Sequence, residues 1–106
     1  MGAGSMYVIL WEFRVRAEAV AEFERLYGPV GAWASLFRAA PGYLGTELLR
    51  DAGGGPRYLT LDRWASPGAY ADFRRRQADA YAALDREGEG LTEAERLVGE
   101  FTAHAT

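Results

Sequence analysis

The sequence predicts an α+β domain with the element order βαββαβ, an antiparallel sheet and helices on one face of that sheet. Two observations lead to this prediction. A strand–helix–strand pattern occurs twice, first from Tyr7 to Arg50 and then from Tyr58 to a last strand near Val98 to His104. Aromatic residues also recur at alternate positions of the predicted strands. This element order is one of the few layouts that can be recognised from element order alone.

Length and composition indicate one soluble globular domain. The chain has 106 residues, of which 49% are hydrophobic and 25% charged, which suits a single domain. Residues 1–5 look like an expression scar ahead of a natural start at Met6, so we assign 6–106 to the domain. No apolar run approaches the roughly 20 residues that span a bilayer. We therefore expect a cytoplasmic protein without membrane contact.

The composition also excludes several classes of site. The net charge of −3 disfavours nucleic acid, which needs a concentrated basic face. There is no cysteine, lysine or asparagine, so thiolate and lysine Schiff-base chemistry are excluded. One histidine, His104, with scattered carboxylates does not provide the convergent ligands of a metal site. We expect no metal and no cofactor.

The first predicted strand separates two faces, because side chains alternate along a strand. The second face begins with Val8 and Leu10 and ends in charged residues. Together with Leu61, it would leave aliphatic side chains exposed in a monomer. This pattern predicts a homodimer. The first face, which should pack against the helices, carries Tyr7, Ile9, Trp11, Phe13 and Val15.

Two helical regions are predicted, one after the first strand and one after the third. The first shows apolar residues every three or four positions, and Gly28-Pro29 predicts a break into pieces at about 17–27 and 30–39, with Pro29 opening the second. Residues 51–56 form a glycine-rich hairpin loop. Ser66-Pro67 predicts the second helical start. Its inner stripe comprises Tyr70, Phe73, Gln77, Tyr81 and Leu84. Capping-box spacing at 92–95 predicts a short helical turn before the last strand.

Three motifs in order resemble the antibiotic biosynthesis monooxygenase superfamily of dimeric α+β barrels. They are Phe13-Arg-Val-Arg16, Pro41-Gly42-Tyr43-Leu44-Gly45 and Leu61-Asp-Arg-Trp64-Ala-Ser-Pro-Gly-Ala-Tyr70, within a resemblance over 6–104. The resemblance implies a ferredoxin-like domain whose sheets pair face to face in a homodimer. It also implies a pocket between the sheet and the helices. Known members include cofactor-independent, quinone-forming monooxygenases and haem-degrading enzymes.

The residues of the family carry over in part. The resemblance matches the family's tryptophan to Trp64. The haem-degrading branch has an asparagine where Trp11 stands and an iron-binding histidine near 73–75, and this chain has neither. Haem degradation is therefore disfavoured. The cofactor-free branch also uses an asparagine, which leaves three alternatives open: a monooxygenase or related enzyme, a binding module, and a structural or stress-associated dimer.

The expected strand order 4-1-3-2 brings candidate site residues together. Trp11, Asp62 and Trp64 would share the helix-facing side, a pocket that suits a small phenolic or polyketide-like molecule. A buried Asp62 would have a raised pKa and could remove a phenolic proton; alternatively, it pairs with Arg14 or Arg63, and the tryptophans are core. The candidate catalytic residues are Asp62, Trp64 and Arg74, and the candidate substrate-binding residues are Trp11, Tyr43, Trp64 and Tyr70.

Overall fold

The computed structural model describes residues 6–104, so the predicted scar at 1–5 lies outside the described residues. Four strands and four α-helices follow the predicted order, with a short 3₁₀ turn at Ala17–Ala19 before the first helix. The elements are β1 (Met6–Val15), α1 (Val20–Tyr27), α2 (Ala32–Arg38), β2 (Tyr43–Arg50), β3 (Arg57–Trp64), α3 (Pro67–Arg76), α4 (Ala78–Glu89) and β4 (Thr92–Ala103).

The four strands form one antiparallel sheet in the order β2-β3-β1-β4. This is the predicted order 4-1-3-2, which is confirmed. In the β1–β3 pair, Tyr7 lies opposite Trp64 and Ile9 opposite Asp62. In the β2–β3 pair, Thr46 lies opposite the same Asp62. The register therefore sets residues of three strands side by side at the centre of the sheet.

The inner face of the sheet packs against the helices and forms the core. Alternation along β1 buries the predicted inner residues, although Trp11 is only partly buried. Aromatic rings dominate this core, with Phe13 packed on Phe23 at a centroid distance of 5.2 Å. The buried hydrophobic residues include Tyr7, Ile9, Phe13, Val15, Phe23, Leu26, Trp33, Phe37, Tyr58, Trp64 and Phe73.

The break between α1 and α2 is confirmed, but its details correct the prediction. The second helix begins at Ala32 with Gly31 as its N-cap, so Pro29 lies in the preceding turn rather than at the helix start. Val30, expected on the inner stripe, is 85% exposed. A side chain on Gly31 would sit 2.4 Å from the carbonyl oxygen of Arg25. This close approach leaves no room for a side chain at the N-cap, which suits glycine.

The second helical region begins as predicted and ends differently. The Ser66 side chain accepts a hydrogen bond from the Ala69 amide at 3.1 Å, which caps α3. The region then divides at Gln77 into α3 and α4. The predicted helical turn at 92–95 is wrong, because β4 already begins at Thr92 and pairs with β1 over its whole length. Pairing with a central strand overrides the local capping signal.

Removing the α3 cap should measurably weaken the fold. Ser66→Ala leaves the Ala69 amide without its acceptor, and such losses cost about 1 kcal/mol. For a domain of this size, that free energy lowers the melting temperature by about 4–8 °C. The matched control is Ser35→Ala, at an exposed position inside α2. Equal melting temperatures for the two variants, measured by circular dichroism, would contradict the capping role.

The outer face of the sheet carries an exposed apolar surface. Phe101 on β4 is 48% exposed, and Leu10 on β1 lies directly opposite Leu61 on β3. Towards the other end of β1, Glu12 pairs with Arg57 at 2.9 Å and with Arg96 at 2.5 Å. The outer apolar face, as we call it, consists of Val8, Leu10, Leu59, Leu61, Phe101 and Ala103.

Candidate functional site

A cavity of about 260 Å³ lies between the inner face of the sheet and the helices. It is partly open to solvent, and half of the residues that line it are aromatic. All four strands and four helices contribute side chains to it. From the strands come Ile9, Trp11, Phe13, Thr46, Thr60, Asp62 and Glu95, and from the helices Tyr27, Trp33, Phe37, Tyr70, Arg74, Tyr81 and Asp85.

The floor of the cavity is built by the strand register. Thr60 and Asp62 lie on the same face of β3, because they are two residues apart. Their partners on β1 are Trp11 and Ile9, and Thr46 on β2 lies beside Asp62. The result is a carboxylate flanked by two threonines and an indole ring.

Asp62 has an unusual environment for a carboxylate. Thr46 Oγ1 donates a hydrogen bond to Asp62 Oδ1 at 2.7 Å. Burial raises the pKa of Asp62 from its ordinary 3.8 to about 6, against the opposing effect of that hydrogen bond. The alternative of an ion pair with Arg63 or Arg14 is wrong for the described residues: Arg63 bonds Glu47 at 2.9 Å, and Arg14 takes part in none of the salt bridges. Asp62 is therefore suited to exchange a proton near neutral pH.

One arginine lies on the helical side of the cavity. The Arg74 guanidinium donates to the Tyr70 hydroxyl at 3.1 Å and stacks over the Tyr81 ring at 3.9 Å. Burial, followed by the nearby Tyr70, raises the pKa of Tyr81 well above its ordinary value. These contacts hold a positive charge and two phenol rings on the helical side of the cavity. The predicted residues Arg74, Tyr70, Trp11 and Asp62 thus all line one cavity.

The structure places the other two predicted site residues behind the cavity wall. Trp64 is 0% exposed and does not line the cavity. Its ring packs at 5.4–5.5 Å from four aromatic rings, those of Phe37, Tyr43, Tyr70 and Phe73. Helix α3 folds directly back over the end of β3 and covers this position, so a site at the sheet rim is enclosed. Tyr43 lies outside the lining as well, although its hydroxyl bonds Thr46 at 2.7 Å.

Comparison with known proteins identifies the family. Residues 6–85 match the family model described as antibiotic biosynthesis monooxygenase. The chain belongs to this family. The predicted resemblance and the ferredoxin-like α+β fold are thereby confirmed. No protein of curated function matches the chain significantly.

Solved structures of family members and other proteins share the fold. SnoaB, a cofactor-independent oxygenase from Streptomyces nogalater, is 27% identical, with 96% of each chain covered and a TM-score of 0.75. A variant of SnoaB with one asparagine changed to alanine has the same TM-score over 95% of each chain. Rv0793 from Mycobacterium tuberculosis is 19% identical over 95% of each chain, with a TM-score of 0.67, which shows the fold alone.

The residues near 73–75 differ from those that the resemblance implies for the haem-degrading branch. Phe73 is buried in the core, and the neighbouring Arg74 and Arg75 cannot ligate iron, so these residues do not fit a haem site. Within residues 6–104 no group of three or more histidine, cysteine or acidic side chains could hold a metal ion. Over the same range no helix is long and apolar enough to cross a bilayer.

Several cavity residues were missed by sequence reasoning. Thr60 could have been found, because it shares a strand face with Asp62 two residues later. Tyr81 was predicted to lie on the inner stripe of the helix, but nothing in the sequence distinguished it from a core residue. Thr46 could not be placed, because β2 contains a bulge that shifts its register between Tyr43 and Gly45. Glu95 was assigned to a helical turn; on β4 it lines the cavity, and burial followed by Asp85 raises its pKa.

Proposed function

We propose that this protein is a cofactor-independent monooxygenase that oxidises a small phenolic aromatic compound, with Asp62 as the general base. The observation that carries the proposal is a carboxylate, without an ionic partner among residues 6–104, on the floor of an aromatic cavity. The likeness to SnoaB, described as a cofactor-independent oxygenase, supports this reaction class. The family's asparagine is absent, and the proposal assigns proton removal to the carboxylate instead.

The cavity suits a small, flat ligand. Its volume of about 260 Å³ is just below the usual range of about 300–1,000 Å³ for ligand pockets. Rings of Trp11, Phe13 and Phe37 offer flat apolar contacts, while Thr60 and Asp62 offer polar ones. Aromatic pairs add about 0.5–1.5 kcal/mol beyond the area that they bury. A bicyclic or tricyclic phenol fits this description.

The proposed reaction uses the substrate itself as the electron donor. Asp62 removes a proton from a ring carbon that carries two hydrogens, as in the keto form of a polycyclic phenol, and leaves an electron-rich anion. The anion transfers electrons to O₂, and a C–O bond forms to give a peroxide. Asp62 returns its proton to the peroxide, and loss of water with the second hydrogen converts the carbon to a carbonyl. One oxygen atom enters the product and the other leaves as water.

Arg74 is proposed to stabilise the charge that develops on the substrate. Its guanidinium lines the same cavity as Asp62, from the opposite side, and a fixed donor facing a developing oxyanion is the usual form of electrostatic catalysis. Trp11 and Tyr70 are proposed to bind the substrate rings. Tyr43 and Trp64 lie behind the wall, so we propose that they support the site rather than touch the ligand.

Oxygen uptake tests the proposed function. Chelator-treated protein is mixed with a panel of naphthohydroquinones and tricyclic phenols in an oxygen electrode, with heat-denatured protein as the control for spontaneous oxidation. We expect one O₂ consumed per carbonyl formed, and no oxygen returned when catalase is added. Ligand binding seen by tryptophan fluorescence without oxygen uptake would contradict the enzyme and favour the alternative, a binding protein.

We also propose that the protein is a homodimer that pairs through the outer apolar face. Phe101, Leu10 and Leu61 lie in one apolar depression there, and an exposed patch of this kind marks an interaction site. A second copy that presents the same face would cover it, in a two-fold arrangement that buries more than about 1,000 Å². Proteins of this family are typically dimeric, which supports this arrangement.

Light scattering after gel filtration tests the dimer. Leu10→Glu would place a charge at the centre of the proposed interface, and we expect a monomer at micromolar concentration. The control is Val30→Glu, which changes an apolar side chain that is 85% exposed in the turn before α2 and should leave the dimer intact. A wild-type monomer at the same concentration would overturn the proposal.

A further inference from the structure

The side chains of Tyr43, Thr46 and Asp62 form a chain of hydrogen bonds that runs from the edge of the sheet to the cavity. The Tyr43 hydroxyl lies 2.7 Å from Thr46 Oγ1, and Thr46 Oγ1 lies 2.7 Å from Asp62 Oδ1. β2, which carries the first two residues, is an edge strand of the sheet. Thr46 lines the cavity, whereas Tyr43 lies behind it. The chain therefore connects the carboxylate in the cavity to a partly buried phenol outside it.

A bulge in β2 makes this chain possible. In a regular strand, residues three apart point to opposite faces, so Tyr43 and Thr46 could not meet. The register passes from Tyr43 opposite Trp64 to Gly45 opposite Arg63, which leaves Leu44 as the extra residue. Bulges re-aim side chains in this way and are frequent beside active sites. The bulge puts both hydroxyls on the cavity side of the sheet.

The direction of the hydrogen bonds follows from the ionised carboxylate. A carboxylate only accepts, so the single proton of Thr46 points to Asp62. The oxygen of Thr46 must then accept from Tyr43, which donates. In the described part of the chain, Asp62 Oδ1 accepts this bond while Oδ2 accepts none. One carboxylate oxygen is held by Thr46, and the other is left without a partner among the described residues, on a residue that lines the cavity.

We propose that Thr46 and Tyr43 are positioning residues for Asp62, holding Oδ1 so that Oδ2 accepts the proton of the ligand. The catalytic meaning of this chain rests on the proposed function, but its effect on the carboxylate does not. The hydrogen bond from Thr46 opposes the effect of burial on the pKa of Asp62. Without it, the carboxyl would stay protonated to higher pH, and a smaller fraction of it would be ionised at neutral pH.

Other charged and titratable groups lie around the cavity and Tyr43, and the test leaves them unchanged. The Arg38 charge on α2 acts on Tyr43. Arg74 and Tyr81 lie across the cavity on α3 and α4. Tyr27, Tyr70, Asp85 and Glu95 complete the titratable lining. None of these is changed by substitutions at Thr46, so a shift in the titration of Asp62 reports the loss of its hydrogen bond.

The test is a carboxyl titration by ¹³C NMR on aspartate-labelled protein, with the Asp62 signal assigned by its loss in Asp62→Asn. Thr46→Val keeps the shape of the side chain and removes the donor. We expect its midpoint to rise by about one to two pH units, since bonds to charged groups are worth about 1.5–3 kcal/mol. Thr46→Ser should restore the wild-type midpoint, and Tyr43→Phe should give a smaller rise.

The control is Thr60→Val, the same change on the neighbouring strand. Thr60 lines the cavity but makes no hydrogen bond to Asp62, so the midpoint should not move. A wild-type midpoint in Thr46→Val, or a Thr46→Ser midpoint that follows Thr46→Val, would overturn the proposal. Because no substrate is present, the titration remains decisive even if no oxygen uptake is ever found. If uptake is found, the pH profile of kcat/KM should shift by the same amount in Thr46→Val.

Discussion

Trp64→Ala is expected to destabilise the fold by about 3–5 kcal/mol, the usual cost of truncating a core aromatic residue. Trp64 is fully buried and packs on the rings of Phe37, Tyr43, Tyr70 and Phe73. A cavity at this point would loosen β3, α2 and α3 together. The loss is a large part of the roughly 5–15 kcal/mol that stabilises a domain, and the melting temperature should fall by more than about 12 °C.

Two variants isolate the cause of this effect. Trp64→Phe keeps an aromatic ring and removes an indole N–H that has no hydrogen-bond partner among residues 6–104, so we expect a much smaller loss. Trp11→Ala removes a tryptophan that is only partly buried on the cavity wall, and it should weaken ligand binding more than stability. Chemical denaturation measures the free energy of unfolding of all three variants. A Trp64→Ala protein as stable as Trp11→Ala would contradict the core role.

Asp62→Asn is expected to lower kcat/KM by about 10²–10⁴-fold, the usual contribution of a general base. The same change should stabilise the fold at pH 7. A pKa raised from 3.8 to about 6 corresponds to roughly 3 kcal/mol of unfavourable free energy when the carboxyl is ionised. The favourable contribution of the protonated carboxyl is complete below pH 3.8 and is lost as the pH rises through about 6. Asparagine carries no charge and avoids this loss.

Activity and melting are measured on the same preparations. The control is Asp79→Asn, an exposed position in the first turn of α4, where neither quantity should change by more than a small amount. An Asp62→Asn enzyme with wild-type activity would remove Asp62 from the mechanism. A variant that loses activity because it is less stable than the wild type would contradict the electrostatic account.

Much of the fold was predictable because the pattern of apolar residues and the structure agree. Alternation in β1, the Ser66 cap and the order of elements identified the sheet and the helix positions. The errors arose where contacts between distant residues decided the outcome. Residues 92–95 have capping-box spacing but pair with β1 as a strand. The second helix takes Gly31 as its N-cap, where the backbone packs closely, rather than beginning at Pro29.

The candidate site was predictable in part for the same reason. Asp62 and Trp11 share one face of the sheet, and alternation alone places them there. Trp64 obeys the same alternation, but only the return of α3 across the sheet decides that it is buried. The bulge at Leu44 leaves no mark in the sequence beyond Gly45, whose φ is +145°. The hydrogen-bond chain to Asp62 therefore required the structure.

The pH dependence of kcat/KM tests most directly whether Asp62 acts as the base. The profile of the wild type should rise with pH to a plateau, with an apparent pKa of about 6, because the carboxylate must be ionised to accept a proton. In Asp62→Asn that rising limb should disappear along with most of the activity. A wild-type profile that is flat across pH 6, or a variant that keeps the same limb, would contradict the account.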